Sequence, residues 1–343
     1  MAESYAQLQV PHLRGKQQVA CVPRPELAAD EVLIHQRAAG LNGLDKKQRD
    51  LGILVQSWPH VLGVEGAGVI ASVGSGVKSL QVGDEVMALQ GGRSHGEPWG
   101  GAFQEYVVVP AKYAAKKPES ISFEEAASLP VCYITAVVAL YDGLRIPLPF
   151  IPNTSVADLK IPKSILILGG ASSTGAHAIQ LLRLADPGIP IYTTASTKHH
   201  THLISLGATA AFDYMSPSLV SDVLNATSDG QGVDIVLDCV ASALWQRDIF
   251  DTLHPDQSKL YAAIVTGKEI GVPDGVTKKM VSGWAITSVA GGDSIMAALT
   301  ELMENGRYRM PLPVRVVGKG LLEIDAAVDR VDKASGEKFV VVL

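Results

Sequence analysis

One stretch constrains this chain more than any other: Ser164-Ile-Leu-Ile-Leu-Gly-Gly-Ala-Ser-Ser-Thr-Gly-Ala-His-Ala-Ile-Gln-Leu-Leu-Arg183. Ser164 to Leu168 is a short, mostly apolar run suited to a buried parallel strand. The chain then turns sharply through Gly169 and Gly170, and Thr174-Gly175 opens a helix. That helix carries Ala178, Ile179, Leu182 and Ala185 on one face. Asp186-Pro187-Gly188 stops it, because proline cannot donate the next helical hydrogen bond.

A glycine-rich turn between a buried strand and a helix N-terminus is a ready anion site. Backbone N–H groups point outward there and the helix dipole favours negative charge. The dinucleotide pattern G-x-G-x-x-G is partly met, since Gly170-Ala-Ser172-Ser-Thr-Gly175 places serine in the middle. Serine is small enough for close approach and adds a hydroxyl donor. Gly170, Ser172, Ser173, Thr174 and Gly175 are therefore the candidate phosphate cradle. An ordinary tight strand–helix turn is the plain alternative.

The surrounding composition suits a large compact protein. The chain has 343 residues, 47% hydrophobic and 19% charged, which allows two domains and ample core. A net charge of −6 argues against a general nucleic-acid or anionic-membrane surface. Cys21, Cys132 and Cys239 lie far apart and form no C-x-x-C, so a disulfide framework is not expected and a reducing compartment fits. The N-terminal residues show neither a basic nor an apolar signal region, and no uncharged apolar run reaches the ~18 residues of a membrane span. The expectation is a soluble, cytoplasmic protein.

Residues from about 5 to 120 read as strands and turns. Glu31–Gln36, Gly68–Val73 and Ala102–Val109 are β-type runs, separated by turn signals such as Gly74-Ser75-Gly76 and Gly83-Asp84. This half predicts a small antiparallel β-domain. A helix is expected over Glu124–Tyr141, followed by a proline-rich surface insertion, Arg145-Ile-Pro-Leu-Pro-Phe-Ile-Pro-Asn-Thr154. Beyond the Gly-turn, strands and short helices alternate. Strands are expected at Ile189–Thr194, Ala208–Tyr214, Val233–Asp238, Leu260–Val265 and Trp284–Val289, and helices at Lys198–Leu206, Leu219–Ala226 and Ala243–Leu253. Such alternation predicts an α/β fold with a doubly wound parallel sheet. The tail adds helices at Ser294–Glu304 and Ile324–Val331 and a closing strand, Phe339–Leu343, expected to rejoin the first domain. The domain division is 1–125, 126–292 and a return at 293–343.

The second strand bears on which nucleotide binds. An acid about 20 positions beyond the first glycine would accept from the ribose 2′-OH of NAD. None occurs between Asp186 and Asp213, and the strand instead runs into Thr194-Ala-Ser196-Thr-Lys198-His-His200. A hydroxyl and a cation suit a 2′-phosphate, which favours NADPH. Ser196 is also a natural helix N-cap and Lys198 an ordinary exposed lysine. Asp238 and Cys239 end the fourth strand, where a cleft beside the cofactor is expected.

The pieces Ala39-Gly-Leu-Asn-Gly-Leu-Asp45, Leu62-Gly-Val-Glu-Gly-Ala-Gly-Val69, Val73-Gly-Ser-Gly-Val77, Val82-Gly-Asp-Glu-Val86 and the Gly-turn together resemble the medium-chain dehydrogenase/reductase superfamily, along essentially the whole chain. The resemblance implies a Rossmann domain plus a GroES-like, mostly antiparallel β-domain. It is nearest to the zinc-independent quinone reductases and the fungal trans-acting enoyl reductases. Asn42-Gly-Leu-Asp45-Lys-Lys47 is similar to their N-P-x-D-x-K stretch with glycine replacing proline, Arg145-Ile-Pro-Leu-Pro149 to their R-L-P-L-P, and Ser196-Thr-Lys198-His199 to their S-x-K-N with histidine in place of asparagine. By that resemblance Asn42 and Tyr214 join the cofactor contacts and Lys47 is a catalytic candidate; Tyr133 and Thr135, in Val131-Cys-Tyr-Ile-Thr-Ala136, are further candidate donors, and Thr135 is also a candidate cofactor contact. Lys47 is equally readable as a solvated lysine, Tyr133 as core, and Thr135 as a nicotinamide or ribose contact.

Zinc-dependent members of that superfamily carry a cysteine near Asn42 and a histidine where Val64 stands. Glu65 and Cys132 alone do not make a tetrahedral site, and the four-cysteine structural loop is missing from Met87–Trp99, so no metal is expected. Without a Lewis acid, conjugate hydride addition to an activated C=C is the natural chemistry, with a donor for the developing enolate oxygen. The expected substrate is a small-molecule or carrier-bound unsaturated carbonyl. The resemblance further implies a polyketide synthase partner in fungal secondary metabolism. A quinone or ketone reductase, and a nucleotide-binding protein without turnover, stay open as alternatives.

Overall fold

The computed structural model describes residues 4–91, 101–151, 159–265, 267–289 and 291–343. Most of the loop expected to lack structural-zinc cysteines, and Pro152–Thr154 of the proline-rich stretch, lie outside the described residues. The chain divides into two compact units, Met1–Val131 with Asp293–Leu343, and Cys132–Gly292.

Along the chain the first unit contributes β1 (Ser4–Val10), β2 (Gln18–Pro23), β3 (Glu31–Gly40), α1 (Gly43–Leu51), β4 (His60–Val61), β5 (Glu65–Val73), β6 (Glu85–Leu89), β7 (Tyr106–Pro110), β8 (Ala114–Lys116) and α2 (Phe123–Ala127). After α3 (Pro130–Val138), the second unit contributes β9 (Ile165–Leu168), α4 (Ser173–Ala185), β10 (Ile191–Ala195), α5 (His200–Leu206), β11 (Ala210–Asp213), α6 (Leu219–Ala226), β12 (Ile235–Asp238), β13 (Leu260–Ile264) and β14 (Thr277–Val281). The tail adds α7 (Ile295–Glu304), β15 (Val314–Lys319), α8 (Ile324–Val328) and β16 (Lys338–Val342).

The first unit is a GroES-like β-domain. Its main sheet runs β15-β16-β3-β5-β6-β8, with β7 also on β3, and a smaller sheet runs β2-β1-β4. Pairing is antiparallel apart from β15 with β16. Strand β3 pairs with β5, β7 and β16, so Val32, Leu33 and Ile34 are fully enclosed. The closing strand joins this sheet, with Val341 opposite Ala39. Its core gathers Leu8, Leu41, Leu62, Phe103, Ile324 and Phe339.

The second unit is a Rossmann fold. Its six strands run β11-β10-β9-β12-β13-β14, and every pair is parallel. Numbered from β9, this is the order 3-2-1-4-5-6, whose direction reverses between β9 and β12. The four β9 residues are all buried, which explains why the sequence shows a continuous apolar run there.

Several expected elements differ. The 5–120 half contains a helix, α1, that a reading as strands and turns overlooks. Its residues are almost all polar, so no apolar stripe marks it; instead Asn42 N–H donates to Asp45 Oδ2 at 2.7 Å and Gly52 ends it with φ of 69°. The buried Arg49 guanidinium, paired with its neighbour Asp50, fastens the helix to Asp325 and Asp329. No α-helix forms over 243–253, where two short 3₁₀ segments stand. The preceding loop is gathered onto Asp238, and Ala241 in it adopts φ of 57°. The sixth strand is Thr277–Val281, while Trp284–Val289 is largely 3₁₀ helix. As an edge strand with two lysines, Lys278 and the exposed Lys279, β14 offers no apolar run to read. Finally, residues 145–151 are not a surface insertion, for Ile146, Leu148 and Ile151 are buried. The apolar helical stretch Phe123–Gly143 is long enough to cross a membrane by composition, but it is mostly buried inside the protein.

Candidate functional site

The Gly-turn is built by backbone geometry that side chains would obstruct. Gly169 turns the chain with φ of 77°, a conformation L-residues rarely adopt. A Cβ on Gly175 would lie 2.4 Å from the Gly169 carbonyl oxygen, so only glycine lets the helix start close against the turn. The turn is tied to the next strand as well: Gly169 N–H donates to Thr194 Oγ1 at 3.1 Å, and Gly170 N–H to the Thr194 carbonyl at 2.9 Å.

Helix α4 then begins with Ser172 as N-cap, its Oγ accepting from Gly175 N–H at 3.1 Å. An α-helix cannot bond its own first N–H groups, which leaves those of Ser173 and Thr174 for an anion. The Ser172 hydroxyl spends only a lone pair on its cap, so its proton can still be donated. These residues fit a pyrophosphate.

At the end of β12, Asp238 is fully enclosed. Its carboxylate accepts from the N–H groups of Val240, Ser242 and Ala243 and from the Tyr261 hydroxyl at 2.7 Å. It therefore shapes the loop at the sheet's reversal point, where Val240 packs against Gly169. Neighbouring Cys239 has its thiol held well above the usual range, by burial first and then by Asp238 and Cys132, which suits an inert sulfur.

At the end of β10, Ser196 precedes a short 3₁₀ segment, Thr197–His199, and then α5. The expected side-chain cap by Ser196 is not made; its carbonyl instead accepts from His199 N–H at 2.9 Å. Lys198 is exposed and Tyr214 is 42% exposed. Asp213, which the sequence reading used only as a boundary, stands beside this loop and accepts from Thr197 Oγ1 at 3.0 Å.

The catalytic candidates differ in setting. Tyr133 is fully buried beside His177, with ring centroids 6.0 Å apart, and burial raises its phenol pKa far beyond the ordinary value. A phenol so placed keeps its proton. Thr135 is 8% exposed, and its Oγ1 lies so near Gly283 that a Cβ there would approach it to 2.4 Å. Lys47 is half-buried on α1.

In the first unit the sequence reading overlooked Lys338. Its Nζ lies 2.6 Å from Glu65 Oε1 and 2.6 Å from Asn42 Oδ1, while Asn42 Nδ2 donates to the same Glu65 oxygen at 2.9 Å. Glu65 Oε2 accepts from Val131 N–H at 2.9 Å. Asn42, named as a cofactor contact from its motif, thus has both ends of its amide engaged inside the β-domain. A lysine heading a valine-rich strand carries no local mark of such a pairing.

Val64 is fully buried and offers no donor, and the Glu65 carboxylate and Asn42 amide already bind an ammonium. These residues do not fit a tetrahedral metal. Among the described residues no group of three or more His, Cys, Asp or Glu could hold one.

Comparison with known proteins agrees with this architecture. Residues 28–119 match the alcohol dehydrogenase GroES-like domain model and residues 206–336 the zinc-binding dehydrogenase model. A trans-enoyl reductase of Fusarium heterosporum is 32% identical, over 93% of each chain. A dehydrogenase of Aspergillus niger is 29% identical over 96% of this chain and 97% of its own. Among solved structures, the CurK enoyl reductase superposes with a TM-score of 0.76 at 24% identity, covering 99% of this chain and 98% of its own. Two matched domain models, a relative alike over nearly its full length and the shared fold lead to one conclusion: this chain belongs to the medium-chain dehydrogenase/reductase superfamily, a family of oxidoreductases that use nicotinamide cofactors.

Proposed function

We propose that this protein is a metal-independent, NADPH-dependent reductase of activated alkenes, acting on an enone or an enoyl thioester. The observation that carries the metal-free reading is the Lys338 ammonium, which lies 2.6 Å from both Glu65 and Asn42. A cation there would repel a metal ion and occupies the acid a metal would need. Support for alkene reduction comes from the trans-enoyl reductase of Fusarium heterosporum, 32% identical over 93% of this chain. Support for NADPH is the exposed Lys198 and the absence of an acid from β10.

Nicotinamide, when bound, supplies the hydride. The residues of this chain supply binding and electrostatics. The N–H groups of Ser173 and Thr174, with the Ser172 hydroxyl, hold the pyrophosphate at the start of α4, and Ser196, Lys198 and Tyr214 serve the adenosine phosphate. Gly175 and Gly170 admit the backbone approach, and Asp238 fixes the loop beyond β12. Thr135 is assigned to cofactor positioning. Lys47 is assigned the donor role toward a developing enolate oxygen, and the enclosed Tyr133 is given no proton transfer. A carrier-bound substrate delivered by a polyketide synthase is part of the proposal and rests on the sequence resemblance alone.

An acceptor panel with both nucleotides tests the reading. Enones and enoyl thioesters should consume NADPH faster than quinones, aldehydes or ketones do, and a chelator should change nothing. Stoichiometric zinc by elemental analysis, or turnover confined to quinones, would sink it.

A further inference from the structure

Where β10 ends without an acid, the neighbouring strand β11 ends with one, Asp213. Strands β10 and β11 run parallel, with Asp213 opposite Ala195, so both end at the same level of the sheet. In a Rossmann sheet the carboxyl ends of the strands face the ligand, and the end of the second strand meets the adenosine ribose. Asp213 Oδ2 accepts from Thr197 Oγ1 at 3.0 Å, and Oδ1 accepts from Met215 N–H at 2.9 Å. Those bonds, with the nearby His200 ring, hold the carboxyl below the usual carboxylate range. It is thus a fixed negative charge, joined by one hydrogen bond to the residue that precedes Lys198.

The positive side of this loop rests mainly on Lys198. The His199 imidazole is biased toward its neutral form, by burial first and then by Lys198, His202 and His200. The His200 ring is engaged with the Ala195 carbonyl at 3.0 Å. One exposed lysine and one half-buried carboxylate therefore belong to the same loop, with Thr197 next to Lys198 donating to Asp213.

The geometry points to Asp213 as a specificity-determining residue that weakens the preference for NADPH and lets NADH share the site. This rests on the NADPH reading above and deepens it. A 2′-phosphate carries close to two negative charges and is attracted by Lys198 but repelled by Asp213. A 2′-hydroxyl is indifferent to the carboxylate or can donate to it, because each oxygen has a lone pair beyond those given to Thr197 and Met215.

The test is direct titration of the purified protein with NADPH and with NADH, read by calorimetry rather than turnover. Asp213→Asn keeps the size and one acceptor for Thr197 while removing the charge. It should raise the ratio of NADPH to NADH affinity about threefold to tenfold in low salt, through tighter NADPH, and the gain should shrink in 0.5 M salt, at a Debye length of about 4 Å. Asp213→Ser must move the ratio the same way, which guards against an effect peculiar to the amide. A ratio that stays put or falls, or equal changes for both nucleotides, overturns the assignment and leaves Asp213 a turn residue. Lys198→Ala is titrated alongside. If it fails to lower the ratio, the NADPH reading falls on its own count, whatever the Asp213 variants do.

Discussion

Asp45 lies wholly inside the β-domain, where Oδ2 accepts from Asn42 N–H. Burial pushes its pKa up to about 7, against the opposing pull of the Asn42 amide and Lys338 and with help from nearby Glu65. A raised acid binds its proton more tightly folded than unfolded. The contribution of Asp45 to stability is therefore greatest below the unfolded value near 4 and declines as pH rises toward 7, with a cumulative effect of about 4 kcal/mol. Asp45→Asn retains an acceptor for the Asn42 amide and cannot ionise. Its stability relative to the wild type should grow between pH 4 and pH 8, read by urea unfolding; a difference constant across that range would show that Asp45 does not titrate there. The sequence marked Asp45 only as part of a motif. Its enclosure depends on strands and helices brought in from elsewhere, and no local pattern reports that.

At the level of elements, the β9–turn–α4 unit was the most legible part of the chain. A buried parallel strand must be apolar, a helix needs a cap, and a tight turn needs glycine, so each requirement left its residue in place. Gly175→Ala would press a methyl against the Gly169 carbonyl, 2.4 Å from the Cβ position. The expected cost is about 1–3 kcal/mol of stability, with at least tenfold weaker nucleotide binding as the turn shifts. Calorimetric unfolding and titration with NADPH check it; unaltered binding would separate the turn from the phosphate site. Elements lacking an apolar rhythm were illegible. Helix α1 is held by Arg49 and by Lys46 with Asp332 rather than by an apolar face, and β14 carries Lys278 and the exposed Lys279 at a sheet edge. The fold over 243–253 was misread for a different reason. Its helix-compatible composition forms only two short 3₁₀ segments, behind a loop gathered onto the Asp238 carboxylate, and nothing local in the sequence marks that interruption.

On the scale of the whole molecule, the order of apolar strands and Gly/Pro signals was enough to expect a β-domain, a doubly wound sheet and a returning tail. The pairing that closes the β-domain was not readable, because Glu65 and Lys338 are distant in sequence and ordinary in composition. Their side chains are nearly or fully buried, at 0% and 7% exposure. Removing one partner of such a pair strands the other charge in the interior. Lys338→Met should cost about 3–5 kcal/mol, and adding Glu65→Gln should recover a good part of it. Denaturant unfolding of the two single variants and the double variant measures the coupling. Simple addition of the two losses would mean that the pair is not an energetic unit.

The location of that lysine has a consequence for the order of events as the protein is made. Glu65 emerges early from the ribosome, and Lys338 follows only after the whole Rossmann unit has been synthesised. Until then the β-domain holds a carboxylate with no counter-ion, and β3 lacks β16 along one edge. The nucleotide-binding unit, whose strands are contiguous in the chain, is free to fold first. The domain that begins first is thus the one that finishes last, and a nascent chain stalled before Lys338 should present a protease-resistant Rossmann unit attached to a cleavable N-terminal half.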